Sequence, residues 1–190
     1  MDFAFGVPSD FSHFAADGPR DLIAALLAST DIPRIRFSSL QPQDITPELL
    51  ALWQDPRLMP HFHLALQAGS DATLRAMRRR YTTAAFRDAA VRIRAAVPGV
   101  AITTDVIAGF PGESDPEFEA TLAFCRETAF ARLHCFPYSQ RAGTAAARLP
   151  GQLPAPVKQE RMRRLLALAE SLAADFRASQ SGAALPVLWE

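Results

Sequence analysis

The sequence predicts an α/β protein built on a parallel sheet, with a long helix towards its C-terminal end. Three observations carry this. Short apolar stretches of strand character alternate with amphipathic helical stretches, the pattern of successive βα units. The segments that follow the strands are rich in glycine and polar residues, as site-forming loops are. The composition, 49% hydrophobic and 21% charged over 190 residues, suits one domain, or one with an appendage, with enough apolar surface for a core.

The elements follow in order. Residues 1–20 have no period; Phe3, Phe5, Phe11 and Phe14 are scattered among Gly, Pro, Ser and Asp. From Arg20 the pattern is helical, with Leu22, Ile23, Leu26 and Leu27 on one face and a stop at Asp31 and Pro33. Arg34 to Leu40 alternates with period two and reads as a strand. Thr46-Pro47-Glu48 opens a helix with a capping hydroxyl and an early proline. Phe62 to Gln67 is a second strand, and helices follow over 72–79 and 84–96. Val100 to Ala108 is a third, mostly buried strand, closed by the turn Gly109-Phe110-Pro111-Gly112. A helix spans 117–127 and a fourth strand 132–138. Residues 139–156 cross irregularly, and a helix with Met162, Leu165, Leu166, Ala169, Leu172 and Phe176 on one stripe runs from Pro156 to about Ser179. The last residues, Leu185 to Glu190, read as the first strand of something further. Such a chain forms an open doubly wound sheet or part of a barrel. The missing glycine-rich phosphate fingerprint lowers the dinucleotide-binding reading.

Composition excludes several functions. The two cysteines, Cys125 and Cys135, cannot build a disulfide framework, nor a cluster or zinc site that needs three or four thiolates from this chain alone. Both read as buried, inert residues. There is no apolar run of about 18 residues, so no membrane span is expected. The first residues carry acids and no early Lys or Arg, unlike a secretory signal, which makes the cytoplasm the expected compartment.

The net charge is zero, but charge is unevenly distributed: residues 71–100 and 131–190 are basic, and residues 1–70 and 101–130 acidic. Two basic zones stand out, Arg75 with Arg78, Arg79 and Arg80, and Lys158 with Arg161, Arg163 and Arg164. They read either as an RNA-backbone face or as the solvated sides of amphipathic helices.

Several positions carry chemistry. Asp105 sits in an otherwise apolar strand, so it must be paired, hydrogen-bonded or at the mouth of a site. Gln67-Ala68-Gly69-Ser70 is either a strand-to-helix turn with Ser70 as cap, or a set of groups for a ligand's ribose or carboxylate. Gly109 to Glu113 forms a rigid loop where backbone can approach a flat ligand. His61 and His63 share a strand face, with His134 the one further histidine that could join a metal pair; they read as core or rim histidines.

In this order, the segments Arg34 to Pro42, His63 to Asp71, Thr104 to Glu113 and Phe136 to Ser139, with Arg141 to Ala146, resemble the radical S-adenosylmethionine methylthiotransferases. The resemblance runs from about Asp21 to the C-terminal end. The Ser38-Ser39-Leu40-Gln41-Pro42 variant resembles most the branch acting on N6-threonylcarbamoyladenosine next to the tRNA anticodon. The dimethylallyladenosine and ribosomal-protein branches are close alternatives.

The resemblance implies an incomplete (β/α) barrel of the radical SAM type over residues 21–150, a linker helix over 151–181, and over 182–190 the first strand of a truncated TRAM domain, the family's small RNA-binding β-barrel. It implies S-adenosylmethionine as cofactor, cleaved at a [4Fe-4S] cluster. Gln67, Gly69 and Ser70 would face the cofactor's sugar and amino-acid part, and Ile107 and Gly109 its adenine. Phe136 and Tyr138 would form the other wall, with Asp105 catalytic, near the reacting nucleoside. Arg78, Arg79, Arg80, Arg161 and Arg164 would contact the tRNA partner.

The chain departs from the family where cysteine is needed. The CxxxCxxC loop that holds the family's cluster is absent, so the sequence offers no metal ligands. The expectation is a fragment, inactive alone, whose partner is a missing N-terminal half. A half-barrel should also expose a sheet edge and an apolar flank. The alternatives are a non-catalytic RNA- or partner-binding remnant and another radical enzyme of the same superfamily.

Overall fold

In the computed structural model, which describes residues 18–182 and residue 184, helices and parallel strands alternate along the chain. Helix α1 (Pro19–Ser29) buries Ile23. Its C-terminal end is closed by Arg57, which donates to the carbonyls of Leu27 and Thr30 at 2.8 and 2.6 Å. Strand β1 (Ile35–Leu40) leads to α2 (Pro47–Ala51), where the Thr46 hydroxyl accepts from Leu49 N–H as its sequence predicts.

Strand β2 spans Leu58–Leu64, earlier than the predicted 62–67. Pro60 conceals its start, because a proline cannot donate to a ladder. It is tolerated here because pairing with the third strand begins only at His61. Helices α3 (Asp71–Ala76) and α4 (Thr83–Ala96) begin at the caps Ser70 and Thr82. Helix α3 stops short of Arg79; Arg78 takes a left-handed backbone (φ 57°), so Arg78, Arg79 and Arg80 stand in a loop. Strand β3 (Ala101–Ala108) precedes α5 (Asp115–Thr128), which opens with a capping box between Ser114 and Glu117. Strand β4 (Arg132–Pro137) and the long α6 (Ala155–Ser179) complete the described elements. The strand expected at 182–190 lies outside the described residues except for Gly182 and Ala184, as does the irregular segment before Gly18.

The strand order β1-β2-β3-β4, all parallel, settles the architecture. A doubly wound sheet reverses its order at a switch point and carries helices on both faces. Here the order never reverses, which is the winding of a (β/α) barrel. One core forms on the helix side. Phe62 and Leu64 of β2, Ile102 and Val106 of β3 and Leu133 of β4 share it with residues of the helices, among them Phe86, Leu122 and Leu165.

Strand periodicity sends the alternate residues to the other face. That face carries Arg36, Ser38, His61, His63, Thr103, Asp105, Ile107, Arg132, His134 and Phe136, most of them partly or fully exposed. The open flank is therefore polar and charged. The apolar flank expected of a half-barrel is not what these residues present. Phe136, half exposed, is its main apolar exception.

Candidate active site at the strand ends

The C-terminal ends of β2, β3 and β4 surround a cleft of about 480 Å³. Its floor is Asp105 and Ile107, two residues apart on β3 and so on one face. Their ladder partners on β4 are His134 and Phe136, which puts Phe136 beside Ile107 at the cleft. Phe110, Tyr138 and the loop residues Ser139, Arg141 and Thr144 close the remaining sides. Phe110 and Tyr138 meet edge to face at 5.4 Å.

Gln67 reaches the cleft through an unusual backbone. Beyond Leu64 the chain leaves the sheet and rejoins it at Gln67, whose N–H donates to Asp105 O at 2.8 Å while its carbonyl accepts from Ile107 N–H at 2.9 Å. Gln67 does this with φ 67°, a left-handed conformation that costs a non-glycine residue free energy. Two buried hydroxyls hold the turn. Tyr81 Oη donates to the carbonyls of Ala65 and Leu66, and Thr104 Oγ1 donates to Leu64 O and accepts from Leu66 N–H.

Asp105 is paired, as an acid in an apolar strand requires: His63 Nε2 lies 3.3 Å from its Oδ2. His63 Nδ1 and His61 Nε2 each lie 3.2 Å from Thr103 Oγ1. His134, far away in sequence, comes within 5.6 Å of His63 ring to ring. Burial drives the His61 pKa down to about 4, helped by Arg36, His63 and His134, so its imidazole is neutral at pH 7.

Gln67, Asp105, Ile107, Phe136 and Tyr138 thus line one cleft. Gly69, Ser70 and Gly109 do not line the cleft. Gly69 lies under α5, where a Cβ would stand 2.7 Å from Thr121 Cα, and its N–H is already donated to Thr121 Oγ1. Ser70 caps α3. Gly109 (φ 79°) turns the chain below the wall and donates its N–H to Glu113 Oε2 at 2.8 Å. Phe110, Arg141 and Thr144 line the cleft although none was singled out as a site residue. Their signal was position in the loops after β3 and β4, where barrel sites form.

The second basic zone is corrected by the structure. Arg161 is not on a surface: it is buried against Glu113 and Asp115. Arg163 and Arg164 are bonded to Glu160 and Glu119. In the first zone Arg78 and Arg80 are exposed, Arg79 is partly buried, and none has an ion-pair partner among the described residues. A further groove of about 440 Å³ lies between the C-terminal parts of α4, α5 and α6, away from the strand ends.

The family model of the radical SAM superfamily matches residues 5–125. The chain belongs to the radical SAM superfamily. Its relatives include the tRNA-2-methylthio-N(6)-dimethylallyladenosine synthase of Streptomyces viridosporus, 42% identical over 90% of this chain and 35% of that protein. The threonylcarbamoyladenosine tRNA methylthiotransferase of Bacillus subtilis is 40% identical over 88% of this chain and 38% of its own length. The chain thus spans little more than a third of these relatives. Among solved structures, coproporphyrinogen III oxidase from Escherichia coli, described as a radical SAM enzyme, superposes with TM-score 0.64 over 80% of this chain and 36% of that one, at 19% identity. This likeness bears on the fold, which is that of a partial radical SAM barrel.

Membership of the superfamily implies S-adenosylmethionine and an iron–sulfur cluster. The cleft fits the first. Ile107, Phe110, Phe136 and Tyr138 offer apolar surface for a flat base, Gln67 and Asp105 offer polar groups, and Tyr138 Oη is buried beside it without a partner among the described residues. The residues present do not fit the cluster. The described residues bring no three His, Cys, Asp or Glu together to hold a metal. Both cysteines sit among core residues on the helix side, and burial raises their pKa values to about 12 for Cys125 and about 11 for Cys135. No helix of the described residues is long and apolar enough to cross a membrane.

Proposed function

We propose that this chain forms the S-adenosylmethionine-binding part of a tRNA methylthiotransferase, with residues 21–150 as the back of its barrel and 151–181 as its linker helix. The reaction is methylthiolation at C2 of N6-threonylcarbamoyladenosine next to the anticodon. One observation carries the reading: an apolar-walled cleft with a paired carboxylate at the strand ends, in a chain about 40% identical to tRNA methylthiotransferases. Ile107 and Phe136 hold the adenine, Gln67 and Tyr138 bond the sugar and amino-acid part, and Asp105 faces the nucleoside. When bound, the cofactor supplies the radical chemistry. This chain's residues bind and orient it and keep water out. The cluster ligands come from polypeptide other than these 190 residues, so the chain is inactive alone.

The threonylcarbamoyl substituent ends in a carboxylate, which suits the Arg36, Arg132 and histidine groups on the open sheet face. The dimethylallyl substituent is the second reading, favoured by the names of most of the relatives compared. Exposed Arg78 and Arg80 would contact tRNA phosphates in a cytoplasmic setting. The test is mass spectrometry of tRNA nucleosides from cells with the gene intact or deleted. The reading expects loss of the 2-methylthio mark from threonylcarbamoyladenosine. Loss from the dimethylallyl nucleoside instead selects the second reading, and unchanged tRNA overturns both.

A further inference from the structure

Helix α6 begins as a crossing element yet reaches into the wall of the cleft through two side chains. Arg161 is 5% exposed and Glu113 fully buried, a rare state for two charged groups. Arg161 Nη1 donates to Glu113 Oε2 at 2.6 Å and to Glu113 O at 2.9 Å, and Nη2 donates to Asp115 Oδ1 at 2.7 Å. Its guanidinium lies over the Phe118 ring at 5.2 Å. The same Glu113 Oε2 accepts from Gly109 N–H, so Arg161 is one bond removed from the turn that carries Phe110 into the cleft. Three residues earlier, the Lys158 alkyl chain fills the space where a Gly109 side chain would stand, and its Nζ donates to Tyr138 O at 3.4 Å.

A buried pair of this kind adds little net stability, because desolvation offsets the attraction. Its value lies in fixing one geometry. An arginine suits this place: its planar fork serves two carboxylates and a carbonyl from two separate nitrogens, where a lysine offers one.

We propose that Arg161 is a positioning residue for the cofactor cleft, holding the Phe110 wall in place through Glu113 and Gly109, with Lys158 steadying the Tyr138 wall. This rests on the cleft being the S-adenosylmethionine site.

The test uses the full chain, hydrogen exchange at single amides, and titration with S-adenosylmethionine by calorimetry. In Arg161→Met, the Gly109 amide is expected to exchange about tenfold faster and the cofactor's Kd to rise about tenfold, the scale of one lost charged hydrogen bond. Phe62 and Leu64 amides, in the core of the sheet, should not change. Arg161→Lys should fall between, and Arg163→Gln, whose partner is Glu160 alone, should match the wild type in both readings. Arg161→Met leaves Glu113 buried without its cation, so the double variant Arg161→Met/Glu113→Gln is measured beside it. Gln still accepts from Gly109 but no longer needs a cation, so this variant folds and should still show the weakened binding.

An unchanged Gly109 amide in both variants overturns the proposal. So does faster exchange with unaltered affinity, since Arg161 would then serve the fold alone; the cofactor site would stand in either case. Failure of the wild-type chain to bind S-adenosylmethionine overturns the cleft reading, and this proposal with it.

Discussion

His63 Nε2 lies 3.3 Å from Asp105 Oδ2, while the other nitrogen of the same ring lies 3.2 Å from Thr103 Oγ1. His61 Nε2 reaches the same hydroxyl, so four side chains of β2 and β3 form one line ending at the cleft. One arrangement fits these contacts: His61 Nε2–H donates to Thr103 and Thr103 O–H to His63 Nδ1, which leaves His63 Nε2 turned to Asp105. The far end of the line is His61 Nδ1, which is buried and has no partner among the described residues.

Thr103→Val removes the middle of this line without changing its shape. His63 is then expected to lose the hydrogen bond at its Nδ1, and its ring nitrogen signals should shift. Nitrogen-15 spectra of the imidazoles check this readily, because the chain has four histidines. Unmoved His63 signals in the variant would show that Asp105 alone orients the ring. The stability cost expected is about 1–2 kcal/mol, since the two histidines lose a buried partner.

The His61 pKa sets a pH dependence. The ordinary value is 6.5 and the folded value about 4, so between these values the unfolded chain binds more protons. Stability is therefore full above pH 6.5 and declines as pH falls towards 4. Urea midpoints at pH 7.5 and 5.0 should show the decline, and His61→Gln should flatten it. An equal slope in the variant would assign the effect to other groups.

Gly69→Ala tests the helix-to-sheet approach. Its Cβ would stand 2.7 Å from Thr121 Cα and 2.8 Å from Phe124 Cβ, a clash with backbone that no rotamer relieves. Destabilisation of about 3 kcal/mol is expected, at the upper end for overpacking. Gly112→Ala has open space around it and pays only for its φ of 81°, about 1 kcal/mol. Equal effects of the two in urea unfolding would contradict this account.

Gln67→Gly separates binding from folding. Glycine relieves the left-handed backbone, so stability should stay within about 1 kcal/mol of wild type. The polar group facing the cleft is lost, and S-adenosylmethionine binding should weaken about tenfold, as for one hydrogen bond. Unchanged affinity would remove Gln67 from the site.

Arg78→Gln/Arg80→Gln should weaken tRNA binding and lower its salt slope by roughly 2, while Arg164→Gln, already bonded to Glu119, should change it far less. Filter binding across a salt series distinguishes them. A larger effect at Arg164 would return the second basic zone to the RNA face.

Much of this was legible beforehand, because it is written in local patterns. Thr46 and Ser70 cap the helices they precede, and the four strands and the long last helix stand in the order that their periods indicate. The Gln67-Ala68-Gly69-Ser70 turn was legible, but the return of Gln67 to the sheet was not, since that depends on hydroxyls at Tyr81 and Thr104. Gly69 and Gly109 were read as ligand contacts. A glycine that lets a ligand approach and one that lets a helix or a lysine approach look alike in sequence.

The sequence by itself determined the order and type of the elements, since helix and strand periods and caps act over a few residues. It also determined that these 190 residues cannot supply a three-thiolate cluster loop, which two cysteines rule out. Only the tertiary structure decided that the open face of the sheet is polar and that Arg161 belongs to Glu113. Those outcomes rest on residues such as Glu113 and Arg161, 48 positions apart, meeting in a buried place where an unpaired charge is too costly to keep.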